Sequence, residues 1–231
     1  LKALVVEAAA PYRKAGLFAY FYARGKFRAD PVYRAILERG LLEGRSRILD
    51  LGCGQALLSA WLRAASRIHE RGGWPNDWPV PSRPVTTQGI ELMARDVERA
   101  RAALGPEANI IAGDIRDTEF APVDAVVLLD VLHYMNTAAQ SEVLRRVRKA
   151  LPPRGLLLLR VSDSGAGLRY RYTRYVDAVT MLLRGHRFTQ PQCRSLSEWS
   201  ALLHDCGFDC EAAPMSHGTP FANVLLIAHA R

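Results

Sequence analysis

Three carboxylates stand at or beside the ends of three successive apolar runs: Asp50 in Ile48-Leu49-Asp50-Leu51-Gly52-Cys53-Gly54, Glu91 in Gly89-Ile90-Glu91-Leu92, and Asp114 in Ala112-Gly113-Asp114-Ile115. Glycine at 52 and 54 removes the Cβ atoms that would hold backbone away from a ligand. The helix start that follows leaves free N–H groups aimed at that ligand. Glu91, with Leu92 beside it, is placed to accept two hydrogen bonds from the hydroxyls of a ribose. Asp114 can accept from an adenine amino group while Ile115 packs on the ring. Any one acid after a strand also reads as a helix cap or surface group. Three in this order match one nucleoside.

A fourth apolar run ends in Asp130-Val131-Leu132-His133-Tyr134. Ligands gather at the carboxyl ends of such strands, which puts Asp130 and Val131 beside the bound nucleoside; the segment resembles that of small-molecule methyltransferases, which implies that Tyr134 faces the acceptor. His133 has two readings. It can take a proton from a hydroxyl acceptor, since an unperturbed imidazole titrates at ~6.5, or it is a hydrogen-bonded structural histidine.

These tips need a scaffold, and from residue 47 onward short β-like runs alternate with helical patterns. The pattern predicts strands at 47–51, up to Glu91, 109–112, 124–130 and 155–161, with helices at 56–71, 92–104 and 137–151. Pro152 and Pro153 stop the last of these helices. Residues 208–213 and 223–230 read as a closing hairpin, and the Trp- and Pro-rich stretch 72–84 as a non-helical loop. The fold class is α/β: a doubly wound, seven-stranded, mostly parallel sheet with a C-terminal antiparallel hairpin and an N-terminal helical lid.

On these motifs the chain resembles the class I S-adenosylmethionine (SAM) dependent methyltransferases of small-molecule type, over about residues 47–162. The resemblance implies that Asp50, Gly52 and Gly54 line the methionine part of SAM, that Glu91 holds the ribose, and that Asp114 and Ile115 hold the adenine. Cys53 lies in the same turn and so counts among the cofactor-binding residues, while its thiol reads as a packing group, with no activating base in view. Ala56 departs from the usual third glycine. The distance from Gly52 to Glu91 is about twice the ~20 residues of a dinucleotide fingerprint, which disfavours a nicotinamide dehydrogenase.

The organisation expected is one domain, 1–231, made of a helical lid (1–45), a cofactor-binding core (46–162), a helical insertion (163–191) and a C-terminal helix with hairpin (192–231). Both the lid and the insertion mix aromatics with arginines, so that Tyr12, Tyr20, Arg24, Tyr172 and, on the hairpin turn, His217 are candidates to enclose an apolar, aromatic or acyl acceptor. More faintly, the whole chain resembles methyltransferases of bacterial aryl-polyene and related polyketide pigment pathways, in 18–30, at His133-Tyr134 and in 218–225. That resemblance implies an acceptor on an acidic acyl carrier protein.

The net charge of +8 fits such an anionic partner, or a peripheral membrane contact. It also admits RNA methylation, but no RNA-binding module and no Asn-Pro-Pro-Tyr type motif accompanies it, so nucleic acid is disfavoured. A non-catalytic SAM-binding interaction protein is the reading from another class. The four cysteines lack metal-ligand spacing, so no metal is expected. No apolar run approaches the ~20 residues of a membrane span, and residues 1–10 lack the pattern of a secretory signal, giving a cytoplasmic expectation.

Overall fold

The computed structural model describes residues 1–83, 86–106, 108–183 and 192–231, with backbone only over 177–183. The N-terminal segment forms α1 (Lys2–Ala9), a 3-10 helix (Ala10–Ala15), α2 (Leu17–Ala29) and α3 (Pro31–Glu38). Asp30 starts α3: its carboxylate accepts from the Val32 N–H at 3.2 Å, and Pro31 occupies the first helical position.

The alternating part follows as β1 (Arg47–Leu51), α4 (Leu57–Glu70), β2 (Thr86–Glu91), α5 (Ala94–Leu104), β3 (Asn109–Ala112), β4 (Ala125–Leu129), α6 (Thr137–Ala150) and β5 (Leu156–Ser162). It closes with α7 (Leu168–Leu183), α8 (Leu196–Asp205), β6 (Phe208–Pro214) and β7 (Asn223–Ala230). The strands make one seven-stranded sheet of order β3-β2-β1-β4-β5-β7-β6. The doubly wound α/β expectation holds.

The chain packs as two compact units, Leu1–Glu119 with Val123–Ala125, and Phe120–Pro122 with Val126–Arg231. In the first, β1 runs parallel to β2 and β2 to β3, with Asp50 opposite Gly89 and Glu91 opposite Ala112. Parallel pairing of consecutive strands demands a crossover connection, and α4 and α5 supply the two here. In the second, β7 lies antiparallel to both β5 and β6, so the closing hairpin is present. All seven residues of β5 are buried, as expected for a strand covered on both faces.

Two helix starts differ from the sequence reading by physical cause. Residue 56 is the N-cap of α4 in the left-handed region, at φ 58°, so the helix begins at Leu57. The helix read from Leu92 begins at Ala94, because the Glu91 carboxylate takes the Met93 N–H at 2.8 Å and turns the chain first. Residues 72–83 contain no helix, and Pro84 lies outside the described residues. The insertion forms α7 to Leu183, while Arg184 and Arg187 of its basic pattern are outside the described residues.

Candidate functional site

In the first unit the glycine turn is built by the strand beneath it. The N–H groups of Gly52 and Cys53 both donate to the Ile90 carbonyl, at 2.8 and 3.2 Å, which ties the end of β1 to the end of β2. Gly52 and Gly54 take φ of 71° and 55°, a region that L side chains rarely adopt. A Cβ built on Gly54 meets nothing within 4 Å, so the turn opens to space at that residue. At Gly89 the opposite holds. A Cβ there would come within 2.5 Å of Cys53 Sγ, so the glycine admits the thiol into a cluster with Ala56, Val97, Ala100 and Ile110. Burial first, then the charges of Asp50 and Glu91, push the Cys53 thiol far up, which makes it a packing group.

Glu91 clasps this turn. One carboxylate oxygen accepts from the Gly54 N–H and the other from the Met93 N–H, each at 2.8 Å. A carboxylate has about four lone-pair sites, so each oxygen keeps one for a further donor. The Glu91 carbonyl also accepts from the Gly113 N–H at 3.0 Å, linking the second and third tips. Asp50 is buried beneath, its pKa pushed up to about 7 by burial, with the Glu91 charge adding to the rise. Leu92, next to Glu91, is exposed at the strand tip.

Asp114 is held differently. The Arg116 guanidinium grips it, Nε at 3.0 Å from one oxygen and 2.8 Å from the other, and the Arg116 N–H donates to it as well. This fork holds the Asp114 carboxyl below the usual range. An adenine amino group would therefore share Asp114 with Arg116, whereas Ile115 is buried beside it.

Tyr12, a lid candidate by sequence, is fully buried, and its hydroxyl donates to the Gln55 carbonyl at 2.7 Å. Burial, then Cys53 and Asp50, raise its pKa well above the phenol range. Gln55 reaches on to Asp96 at 3.3 Å, Asp96 pairs with Arg99 at 3.2 Å, and Arg99 covers the Phe18 ring at 4.6 Å. The N-terminal segment is thus fastened to the residue that follows the glycine turn. Replacing Tyr12 with Phe leaves the buried Gln55 carbonyl without its donor, at about 1–3 kcal/mol, and the thermal midpoint is expected to fall accordingly. Tyr20 is half-buried beneath Arg13, whose Cζ lies 4.8 Å from the ring centroid, and Arg24 is exposed.

The second unit holds the fourth tip. Asp130 adopts φ 60° and accepts from Arg160 Nε at 2.9 Å, while Arg160 Nη2 donates to its other oxygen. Arg160 is only 2% exposed on β5, and sequence reasoning missed it, although an arginine inside Leu156-Leu157-Leu158-Leu159-Arg160-Val161 signals a buried partner. Val131 is half-buried, and Tyr134 is exposed with its ring 4.0 Å from that of His133.

His133 is buried, and its Nε2 has no hydrogen-bond partner. Its backbone carbonyl accepts from the Gln192 N–H at 2.9 Å, and Gln140 Nε2 bridges the carbonyls of Leu132, Met135 and Gln192. Burial lowers its pKa to about 4, with Asp130 opposing and Arg160 adding to the fall. The unfolded chain, titrating near 6.5, therefore binds more protons between about 4 and 6.5, and stability drops as pH falls through that window. Denaturant midpoints at pH 7 and pH 4.5 are expected to differ less in His133→Phe than in the wild type. Tyr172 lies exposed with its ring 5.7 Å from Phe221, and His217 is exposed on the hairpin turn. Among the described residues no cluster of His, Cys, Asp and Glu has metal-binding geometry.

The sequence matches the family described as "Methyltransferase domain" over residues 22–213. It is 32% identical over 129 residues to the carboxy-S-adenosyl-L-methionine synthase of Chromohalobacter salexigens, covering 54% of this chain and 42% of that protein. It is 37% identical over 152 residues to the acetylserotonin O-methyltransferase of Mus musculus, covering 65% of this chain and 37% of that one. The chain thus spans about two fifths of the length of these curated relatives. An O-methyltransferase from neocarzinostatin biosynthesis, solved with SAM and 2-hydroxy-5-methyl naphthoic acid, shares the fold at TM-score 0.58 and 22% identity, covering 93% of this chain and 58% of that one.

Proposed function

We propose, from the premise that this chain belongs to the methyltransferase-domain family, that it transfers a methyl group from SAM to a small aromatic or acyl acceptor. The observation that carries the reading is the Glu91 clasp: a carboxylate that fixes the glycine turn through Gly54 and still has one acceptor site on each oxygen. The residues fit the cofactor. A vicinal diol supplies two donors to Glu91, and the open side of Gly54 admits atoms close to the backbone. Asp50 lies beneath, and its carboxylate would be favoured by a sulfonium cation. Leu92 offers an exposed apolar surface for a flat ring. SAM, when bound, supplies an electrophilic methyl group, and the protein contributes orientation and exclusion of water.

On the acceptor side, His133 is neutral near pH 7 and its Nε2 has no partner, but that atom is buried, so an acceptor hydroxyl reaches it only if the covering side chains open. An aromatic acceptor is favoured by Tyr134 and Tyr172, two exposed rings in the same unit. The naphthoic acid bound by the neocarzinostatin enzyme supplies a first compound class to try. The test is incubation with methyl-labelled SAM and a panel of hydroxylated aromatic acids, free and loaded on acyl carrier protein. Label in an ether or ester product supports the reading. Saturable SAM binding with no transfer to any member of the panel would favour a non-catalytic SAM-binding protein instead.

A further inference from the structure

Helix α2 is turned the wrong way round for a packing helix. Its buried face is Ala19, Ala23 and Phe27, whereas Leu17, Phe18 and Phe21 are 74%, 63% and 61% exposed. The exposed residues 17, 18, 21, 24, 25 and 28 follow helical spacing, so one face is apolar in its first half and carries Arg24 and Arg28 in its second. Arg13 and Lys14, both exposed, immediately precede the helix. From Ala8 to Ala29 the chain contains no acidic residue. Solvent-facing Leu and Phe side chains in such a cluster are a signature of an interaction surface rather than of ordinary packing.

We infer that this face of α2 is a docking surface for an anionic lipid bilayer, lying in the interface with Leu17, Phe18 and Phe21 inserted and the cations on the headgroups. Charge complementarity selects an anionic partner, because the cations flank the apolar cluster on one helix face without a carboxylate between them. The shape selects a deformable one. All three side chains stay more than half exposed, although Phe18 stacks on Tyr22 beneath the Arg99 guanidinium and Phe21 lies edge-on to Tyr20, and an apolar surface of that kind suits the boundary between headgroups and acyl chains. Among the described residues no helix is long and apolar enough to cross a membrane, so the contact is peripheral. This inference does not depend on the methyl-transfer reading.

Sedimentation of the purified full chain with vesicles of phosphatidylcholine, or of phosphatidylcholine mixed with phosphatidylglycerol, tests it. The expected result is binding to the mixed vesicles only, reduced about tenfold or more both by Leu17→Ser/Phe18→Ser/Phe21→Ser and by Arg13→Gln/Lys14→Gln/Arg24→Gln/Arg28→Gln. Far-ultraviolet circular dichroism checks that each variant is folded. Should the first variant unfold, Phe21→Trp serves in its place, with a blue shift of the introduced indole on adding mixed vesicles as the expected result. Absence of binding to the mixed vesicles, or equal binding by the folded serine variant, overturns the inference. So does finding that purified acyl carrier protein, or a second copy of the chain, occupies this face while vesicles do not.

Discussion

Replacing Glu91 with alanine is expected to weaken SAM binding by about 10²- to 10⁴-fold, because two hydrogen bonds to a charged acceptor are lost at about 1.5–3 kcal/mol each. The same substitution strips the Gly54 and Met93 N–H groups of their acceptor, so the turn loosens along with its ligand. Glu91→Gln keeps an acceptor oxygen for one of these N–H groups but turns an amide NH₂ toward the other, and should fall between wild type and alanine. The Asp114→Asn variant is the informative contrast. Arg116 already occupies that carboxylate, so the affinity lost there should be far smaller than at Glu91. Equilibrium dialysis with labelled SAM on the folded variants gives the ranking.

The largest effect on stability is expected at Asp130. Alanine there leaves the Arg160 guanidinium buried on β5 without its carboxylate, a loss of about 3–5 kcal/mol when one member of a buried pair is removed. Asp130 is itself 31% exposed, so solvent screening places the loss toward the lower end of that range. At about 2–4 °C of midpoint per kcal/mol for a domain of this size, the thermal midpoint should fall by about 6–12 °C. The left-handed backbone at φ 60° adds a second cost for alanine that asparagine tolerates better. Asp130→Asn should therefore be milder. Asp130→Ala combined with Arg160→Leu should recover part of the loss, since no charge is then left buried without its partner, while the smaller side chains leave space unfilled. Thermal denaturation of wild type, the two Asp130 variants, Arg160→Leu alone and the double variant measures the coupling.

Much of the sheet was legible because its signals are local. The glycine turn at 52–54, the carboxylate at Glu91 and the proline stop after α6 each follow from residue type at one place in the chain. The Ser195 capping box of α8, with Glu198 reaching back to the Ser195 N–H at 2.7 Å, is equally local, yet sequence reasoning passed over it. What sequence reading did not give is mostly long-range. Tyr12 reads as an amphipathic lid residue until its partner 43 positions away, the Gln55 carbonyl, is known. The Asp130–Arg160 pair joins residues 30 apart on different elements. Asp114 illustrates a nearer miss: its partner Arg116 lies two residues on, and an acid so placed is as ready to chelate its own loop as to meet a ligand. The inverted face of α2 was hidden for a further reason. Hydrophobic periodicity names the apolar stripe of a helix but not which stripe the fold covers, and there the alanines, not the Leu and Phe residues at its start, went inside.

That the Glu91 clasp is a binding site for an adenosyl-sulfur cofactor is the claim on which the proposed activity rests. Isothermal titration of the full chain with S-adenosylhomocysteine measures it without need of an acceptor. Saturable, one-to-one binding that disappears in Glu91→Ala and persists in Tyr134→Phe is the predicted result. No measurable heat with the wild type, or unchanged affinity in a folded Glu91→Ala variant, would contradict it.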